Sequence, residues 1–243
     1  PTSDDRERLR DLLTPVASTM LAAKMFSGDF QDHIDALNFL VDGVPGRMNE
    51  ILTSLDLLLR WIVLVLCEQN TQSSLGALDL LRVVLEHLAD DGYRLSDMEA
   101  SILLPAIIEK VGQNQDHMRS AYRSILVASA SVYNPAKVVD MIVLGLDTKN
   151  SRSKVECCLA MSDIVRQTGG RCVTSAKNKP VVALSHLVSE RDPALRSAAM
   201  DALESIRESG DEAQFAGMLG KANDGDRELV EGKLKPSLSG KAD

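Results

Sequence analysis

Asp192-Pro193-Ala194-Leu195-Arg196-Ser197-Ala198-Ala199 reads as the opening of an amphipathic helix, and its pattern decides the fold. Asp192 is an N-cap acid, whose side chain can accept hydrogen bonds from the first amides of the helix. Pro193 takes the first helical position, where its missing N–H leaves no bond unmade. Arg196 falls just inside, and Leu195, Ala198 and Ala199 put small apolar groups on one face. Weaker copies with an early cation stand at Asp116-His117-Met118-Arg119-Ser120-Ala121 and Asn150-Ser151-Arg152-Ser153-Lys154-Val155.

Outward from these copies, a period shows in the polar breaks. They fall at Ser27-Gly28-Asp29, Gln69-Asn70-Thr71, Gln113-Asn114-Gln115-Asp116, Lys149-Asn150-Ser151-Arg152 and Arg191-Asp192-Pro193. From Asp29 through Asn70, Asn114 and Asn150 to Asp192 the steps are 41, 44, 36 and 42 residues. Each break lies between two apolar stretches, and a period of about 40 residues suits one helix pair per unit, as in HEAT repeats. Leu75, Leu78, Leu81, Leu85 and Leu88 follow helical spacing. Gly92 and Tyr93 then end that helix, before Ser96 and Glu99 set up a capping box for the next. The expected fold is an all-α HEAT-repeat solenoid.

Composition agrees: 44% of the 243 residues are hydrophobic but only 3% aromatic, with Leu, Ala, Ile and Val in helical runs. The longest apolar run, Leu55 to Cys67, is too short to span a bilayer and carries Asp56 and Arg60, so it reads as a buried helix with Trp61 in the core. The net charge of −8 argues against nucleic-acid or anionic-membrane partners, whose binding needs clustered Lys and Arg. Cys67, Cys157, Cys158 and Cys172 have no metal-ligand spacing and two are adjacent, which points to a reducing, cytosolic compartment. Cys172, after Gly169-Gly170, reads as the more exposed thiol.

Catalysis has little support. His33, His87, His117 and His186 show no metal spacing and no fixed nucleophile or acid partner, so neither an enzyme nor a metal or other cofactor is expected. Gly43-Val44-Pro45-Gly46 lacks the lysine of a phosphate-binding loop and reads as a connector between helices. The sequence opens on Pro1 without a secretory signal and closes in a Ser/Gly/Lys tail, which suggests a segment of a longer polypeptide. The expected boundaries are a flank or helix start over 1–20, the repeat domain over 21–235 and a flexible polar tail over 236–243.

Leu55-Asp56-Leu57-Leu58-Leu59-Arg60-Trp61, then Asn70-Thr71, Glu109-Lys110-Val111-Gly112 and Lys149-Asn150-Ser151-Arg152 together resemble TOG domains of the ch-TOG/Mini spindles class of microtubule polymerases. The likeness is greatest to the fourth domain of that class. It implies a flat paddle of about six helix pairs whose intra-repeat loops bind αβ-tubulin or the microtubule lattice. The domain would be a monomeric part of a larger multi-TOG chain, in the cytoplasm on microtubules, spindle or centrosome. Carried over loop by loop, the contacts are Phe30 in the first, where the family's tight binders have Trp, and Asn70 and Thr71 in the second. The third offers Lys110, Gln113 and Asn114; the fourth Lys149, Asn150, Arg152 and Lys154; the fifth Arg191 and Arg196.

Each of these residues also has a purely structural reading. Phe30 suits a hydrophobic staple at a helix entry. Arg119, Lys154 and Arg196 suit a hydrogen-bond ladder between neighbouring repeats. Isolated loop cations such as Lys149, Arg152 and Arg191 are ordinarily just solvated. A second function stands beside tubulin binding: a HEAT or armadillo-like scaffold that reads a peptide or adaptor on its helical face, although no Asn/Trp array marks such a groove. A structural spacer is the third.

Overall fold

The computed structural model describes residues 2–68 and 70–234; the polar tail expected over 236–243, and Gln69 of the second loop, lie outside the described residues. Those residues form fourteen helices and no strand. The described residues divide into two compact units, one within 2–110 and 114–134, the other within 111–113 and 135–234.

The first unit opens with α1 (Ser3–Leu13), sealed by a capping box between Thr2 and Asp5. Three helix pairs follow: α2 (Thr19–Met25) with α3 (Phe30–Thr53), α4 (Leu55–Cys67) with α5 (Thr71–Asp90), and α6 (Asp97–Lys110) with α7 (Asp116–Val132). The second members α3, α5 and α7 pack side by side, while α1, α4 and α6 form the other layer. The run Leu55 to Cys67 is α4 itself. Leu55, Leu58, Leu59, Trp61, Ile62, Val65 and Leu66 are its buried face, and each large apolar side chain so buried is worth about 1.5–3 kcal/mol. Trp61 is 1% exposed and its Nε1–H donates to the Met25 carbonyl at 2.8 Å, so the ring is core with its one polar atom satisfied.

The capping box at Ser96 forms with Glu99, whose carboxylate accepts from the Ser96 amide and hydroxyl, both at 2.7 Å. Gly92, at φ 68°, turns the chain out of α5. Gly43-Val44-Pro45-Gly46, expected as a connector between helices, is itself helical: α3 runs through it and bends just after it at Arg47, whose φ of −132° and ψ of 25° are non-helical. Pro45 removes one backbone donor, which is enough to kink a helix, while Val44 is fully buried and holds the stretch against the core.

The second unit has α8 (Pro135–Gly145) with α9 (Ser151–Thr168), a short turn α10 (Arg171–Thr174), α11 (Pro180–Leu187) with α12 (Pro193–Glu208), and α13 (Glu212–Leu219) followed by α14 (Asp224–Lys233). Helices α9 and α12 make its main contact, sealed by a buried 2.7 Å hydrogen bond between the Ser162 and Ser205 hydroxyls. Cys172 is more exposed than Cys157 and Cys158, at 5% against 0% for each, but it is buried all the same: its thiol donates to the Gly169 carbonyl, and burial pushes it above the usual thiol range. Burial pushes Cys157 up to about 12 and Cys158 higher still, so both pack as small hydrophobes.

Candidate functional site

Every break picked out by its polar residues turns out to be the turn between the two helices of a pair, and its polar residue is usually an N-cap. Asp29 accepts from the Gln31 amide at 2.9 Å, Asn70 from Ser73 at 2.9 Å, Asn150 from Arg152 at 3.1 Å and Asp192 from Ala194 at 2.9 Å. Gln115 stands at the same position without a side-chain bond. A sixth turn, missed in the sequence, follows the pattern: Asn223 caps α14 at the Asp226 amide, 2.8 Å away, and exposed Lys221 precedes it. An amide three residues before an acid was the signal for it.

In the first unit, Phe30 is the first residue of α3 and 47% exposed, beside its capping Asp29. Thr71 is exposed and Asn70 half-buried at the start of α5. These two turns are tied to each other from beneath. His33, 3% exposed, places Nδ1 2.9 Å from a Glu68 carboxylate oxygen and Nε2 3.0 Å from the Ser27 carbonyl. Arg6 of α1 donates to the same carbonyl at 2.8 Å and pairs with Glu68 at 3.8 Å. Lys110 is half-buried at the end of α6, and Asn114 is exposed. The Asn114 carbonyl accepts from Arg119, which also pairs with Asp116, so Arg119 braces the turn.

In the second unit the turns are linked in a row. Gly112 comes so close to the start of α9 that a Cβ there would lie 2.1 Å from the Ser153 hydroxyl oxygen and 2.7 Å from Asn150 Nδ2. That Nδ2 donates to the Gly112 carbonyl at 3.4 Å. The Ser151 hydroxyl donates to the Asp192 carboxylate, and with the Ala194 amide it holds Asp192 below the usual carboxylate range. Lys154 pairs with Glu190 at 3.3 Å. Arg196 donates to the carbonyls of Glu190, at 3.0 Å, and Arg191, at 2.8 Å. His186, in the last turn of α11, reaches Asp226 in the first turn of α14 at 3.2 Å.

The structure therefore sorts the predicted residues of this unit into two kinds. Asn150, Lys154 and Arg196 use their polar atoms to fix the turns: Lys154 reaches Glu190 of the next turn, whereas Arg196 bonds carbonyls of its own turn rather than a neighbouring repeat. Lys149, Arg152 and Arg191 are exposed, and Gln113 is half-buried. Among the described residues no group of three His, Cys, Asp or Glu could hold a metal ion, and no helix is long and apolar enough to cross a membrane.

Helix pairs stacked with capped, mutually bonded turns define an α-solenoid of HEAT type whose polar features gather at the turns rather than in a cleft. Residues 53–216 match the family model for the XMAP215/Dis1/CLASP TOG domain, and the chain belongs to that family. It is similar to Protein MOR1 of Oryza sativa subsp. japonica, 32% identical over 88% of this chain and 11% of the relative. It is also similar to Zygote defective protein 9 of Caenorhabditis elegans, 30% identical over 97% of this chain and 16% of the relative. The chain thus spans between about a tenth and a sixth of these relatives' length. Among solved structures, the TOG domain of C. elegans Zyg9 superposes with a TM-score of 0.84 at 28% identity, over 96% of this chain and 86% of that one. A structure from work on TOG–tubulin binding specificity in microtubule dynamics and mitotic spindle formation gives 0.83 at 25% identity, over 97% and 89%.

Proposed function

We propose that this chain is a non-catalytic tubulin-binding domain of a longer microtubule polymerase acting on spindle microtubules. In the first unit it binds through Phe30, Asn70, Thr71, Lys110 and Asn114. In the second it binds through Gln113, Lys149, Asn150, Arg152, Lys154, Arg191 and Arg196. The observation that carries this reading is the set of exposed cations Lys149, Arg152 and Arg191 on braced turns of a chain whose net charge is −8. Tubulin is acidic, and charge complementarity of this kind raises encounter rate and fixes orientation. Phe30 supplies an apolar contact next to a helix start, of the aromatic type that dominates interface energetics.

The order and spacing of the turn motifs favour a domain like the fourth of its class, within the 21–235 boundaries and with α1 packed in front of them. Tethered in series, such domains raise the local tubulin concentration, so this one contributes delivery rather than chemistry.

The test is co-migration with purified αβ-tubulin at low and moderate salt, comparing wild type with a Phe30→Ala, Lys149→Ala, Arg191→Ala triple variant. Low salt preserves charge steering. Binding that weakens with salt and is lost in the folded variant is expected. Equal binding by the triple variant would move the contact to the helical face, and absence of binding at low salt would reject free tubulin as the partner.

A further inference from the structure

We propose that Arg6, His33 and Glu68 are positioning residues that lock the first turn to the second, so that Phe30 and Thr71 are presented as one preformed surface. The inference rests on the tubulin reading for its consequence, though not for its geometry.

The cluster is an expensive way to fill a helix interface. The ring of His33 is buried beside Trp61, edge to face with centroids 6.5 Å apart, where a leucine would pack without polar atoms to satisfy. Such buried polar groups persist where they specify an arrangement that apolar packing leaves loose. Here the arrangement is identifiable, because the acceptors belong to the two turns. The Ser27 carbonyl lies two residues before the capping Asp29, and Glu68 is the C-cap of α4, two residues before the capping Asn70.

Oxygen acceptors face both ring nitrogens, so whichever nitrogen carries the hydrogen finds a partner in one turn or the other. Arg6 spans the same pair from α1, donating to the Ser27 carbonyl and facing Glu68, with its Nη2 3.4 Å from His33 Nε2. A second hold acts on the first turn alone, where the Ser27 hydroxyl accepts from the Asp29 amide at 3.1 Å. Lys24 of α2 is engaged with Asp32 and Asp35 and leaves the cluster to these three side chains. Arg6, Ser27 and His33 precede the stretch 53–216 that matches the family model while Glu68 lies inside it, so the lock joins the segment before that stretch to the stretch itself.

Arg6→Gln tests the lock with little risk to folding, since the Arg6 side chain is 41% exposed. Hydrogen exchange is read at residues 28–31 and 70–73, with α9 as internal reference, and tubulin binding is measured on the same protein. Losing a charge-assisted bond should speed exchange in both turns by roughly tenfold or more. Arg6→Lys should recover part of that, because an ammonium can reach one acceptor but not both, and tubulin affinity should fall in parallel.

Unchanged exchange in both turns overturns the lock. Faster exchange with undiminished tubulin binding overturns its positioning role and leaves the tubulin reading standing. A wild-type chain that binds no tubulin removes the partner alone, since the exchange arm still decides whether the three residues hold the turns. His33→Gln is the confirming variant: its donors sit on one amide nitrogen instead of facing both turns from opposite edges of a ring, and it should free whichever turn that nitrogen does not reach.

Discussion

The first two turns of the first unit are held from inside and those of the second unit from their own surface. Beneath Ser27 and Glu68 lies a buried imidazole with an arginine beside it. From Gly112 to Asp192, by contrast, neighbouring turns are bonded by Asn150, which caps α9, and by Ser151, which opens it. The first arrangement leaves the turn tips to an aromatic and uncharged polar groups, Phe30, Asn70 and Thr71. The second leaves the tips to Lys149, Arg152 and Arg191. The difference teaches that positioning and contact are divided among residues that a sequence reading puts in one group. It also implies that the two units fail differently when a single side chain is changed.

The largest effect is expected at Gly112. A methyl group there meets Asn150, the Ser153 hydroxyl and the Ser153 backbone nitrogen at 2.9 Å, which cannot move without unwinding the start of α9. Gly112→Ala should cost about 2–4 kcal/mol, combining overpacking with a displaced N-cap, as read by urea denaturation. Gly43 in the first unit is the matching control. It is helical, with nothing within 4 Å of an added Cβ, so Gly43→Ala should stabilise by about 0.5–1 kcal/mol. Equal responses at the two positions would remove the distinction between the units.

Asn150→Ala against Asn70→Ala is the next comparison. Both lose an N-cap, worth about 1 kcal/mol. Asn150 also loses its donor to Gly112, so its variant should be the less stable of the two by about 0.5–1.5 kcal/mol in the same assay. For affinity, Phe30→Trp should tighten tubulin binding by about threefold to tenfold through slower dissociation, since a larger rigid aromatic gains contact area. Lys149→Ala should instead slow association and flatten the salt dependence. The two signatures, measured by stopped flow, separate the apolar tip from the charged ones.

Much of this was legible in the sequence, and the reason is local. N-cap residues, the Asp192-Pro193 pair and apolar periodicity are short-range signals, so five of the six turns and helix α4 could be placed from residues a few positions apart. The sixth turn was passed over because its Asn223 falls closer to Asp192 than the preceding steps led one to expect. Arg6, His33 and Glu68 carried no signal, since they meet across 27 and 35 residues and only the packing of α1, α3 and α4 brings them together. The two glycines before Cys172 do leave it more exposed than Cys157 and Cys158, but a turn of helix folds it inward, which no local signal shows. Gly43-Val44-Pro45-Gly46 reads as a connector because nothing local shows that Val44 is held by the core and the helix carried through.

The smallest expected effect concerns acid. Asp192 is held below the ordinary carboxylate value near 3.8 first by the Ser151 hydroxyl and then by the Ala194 amide. A carboxylate whose folded value is depressed favours the folded state at pH above its unfolded value and loses that contribution as pH falls through the folded one. Asp35 of the first unit is depressed as well, but by Lys24 and then Gln31. Asp192→Asn keeps an oxygen to cap α12 and removes the titration. Its urea midpoint should therefore fall less than that of wild type between pH 5 and pH 3, while Asp35→Asn, which breaks an ion pair, should lose stability mainly at neutral pH and in low salt. If Asp192→Asn instead follows the wild-type acid profile, the Ser151 bond contributes nothing to the second unit, and its row of linked turns is held at that point by the backbone cap alone.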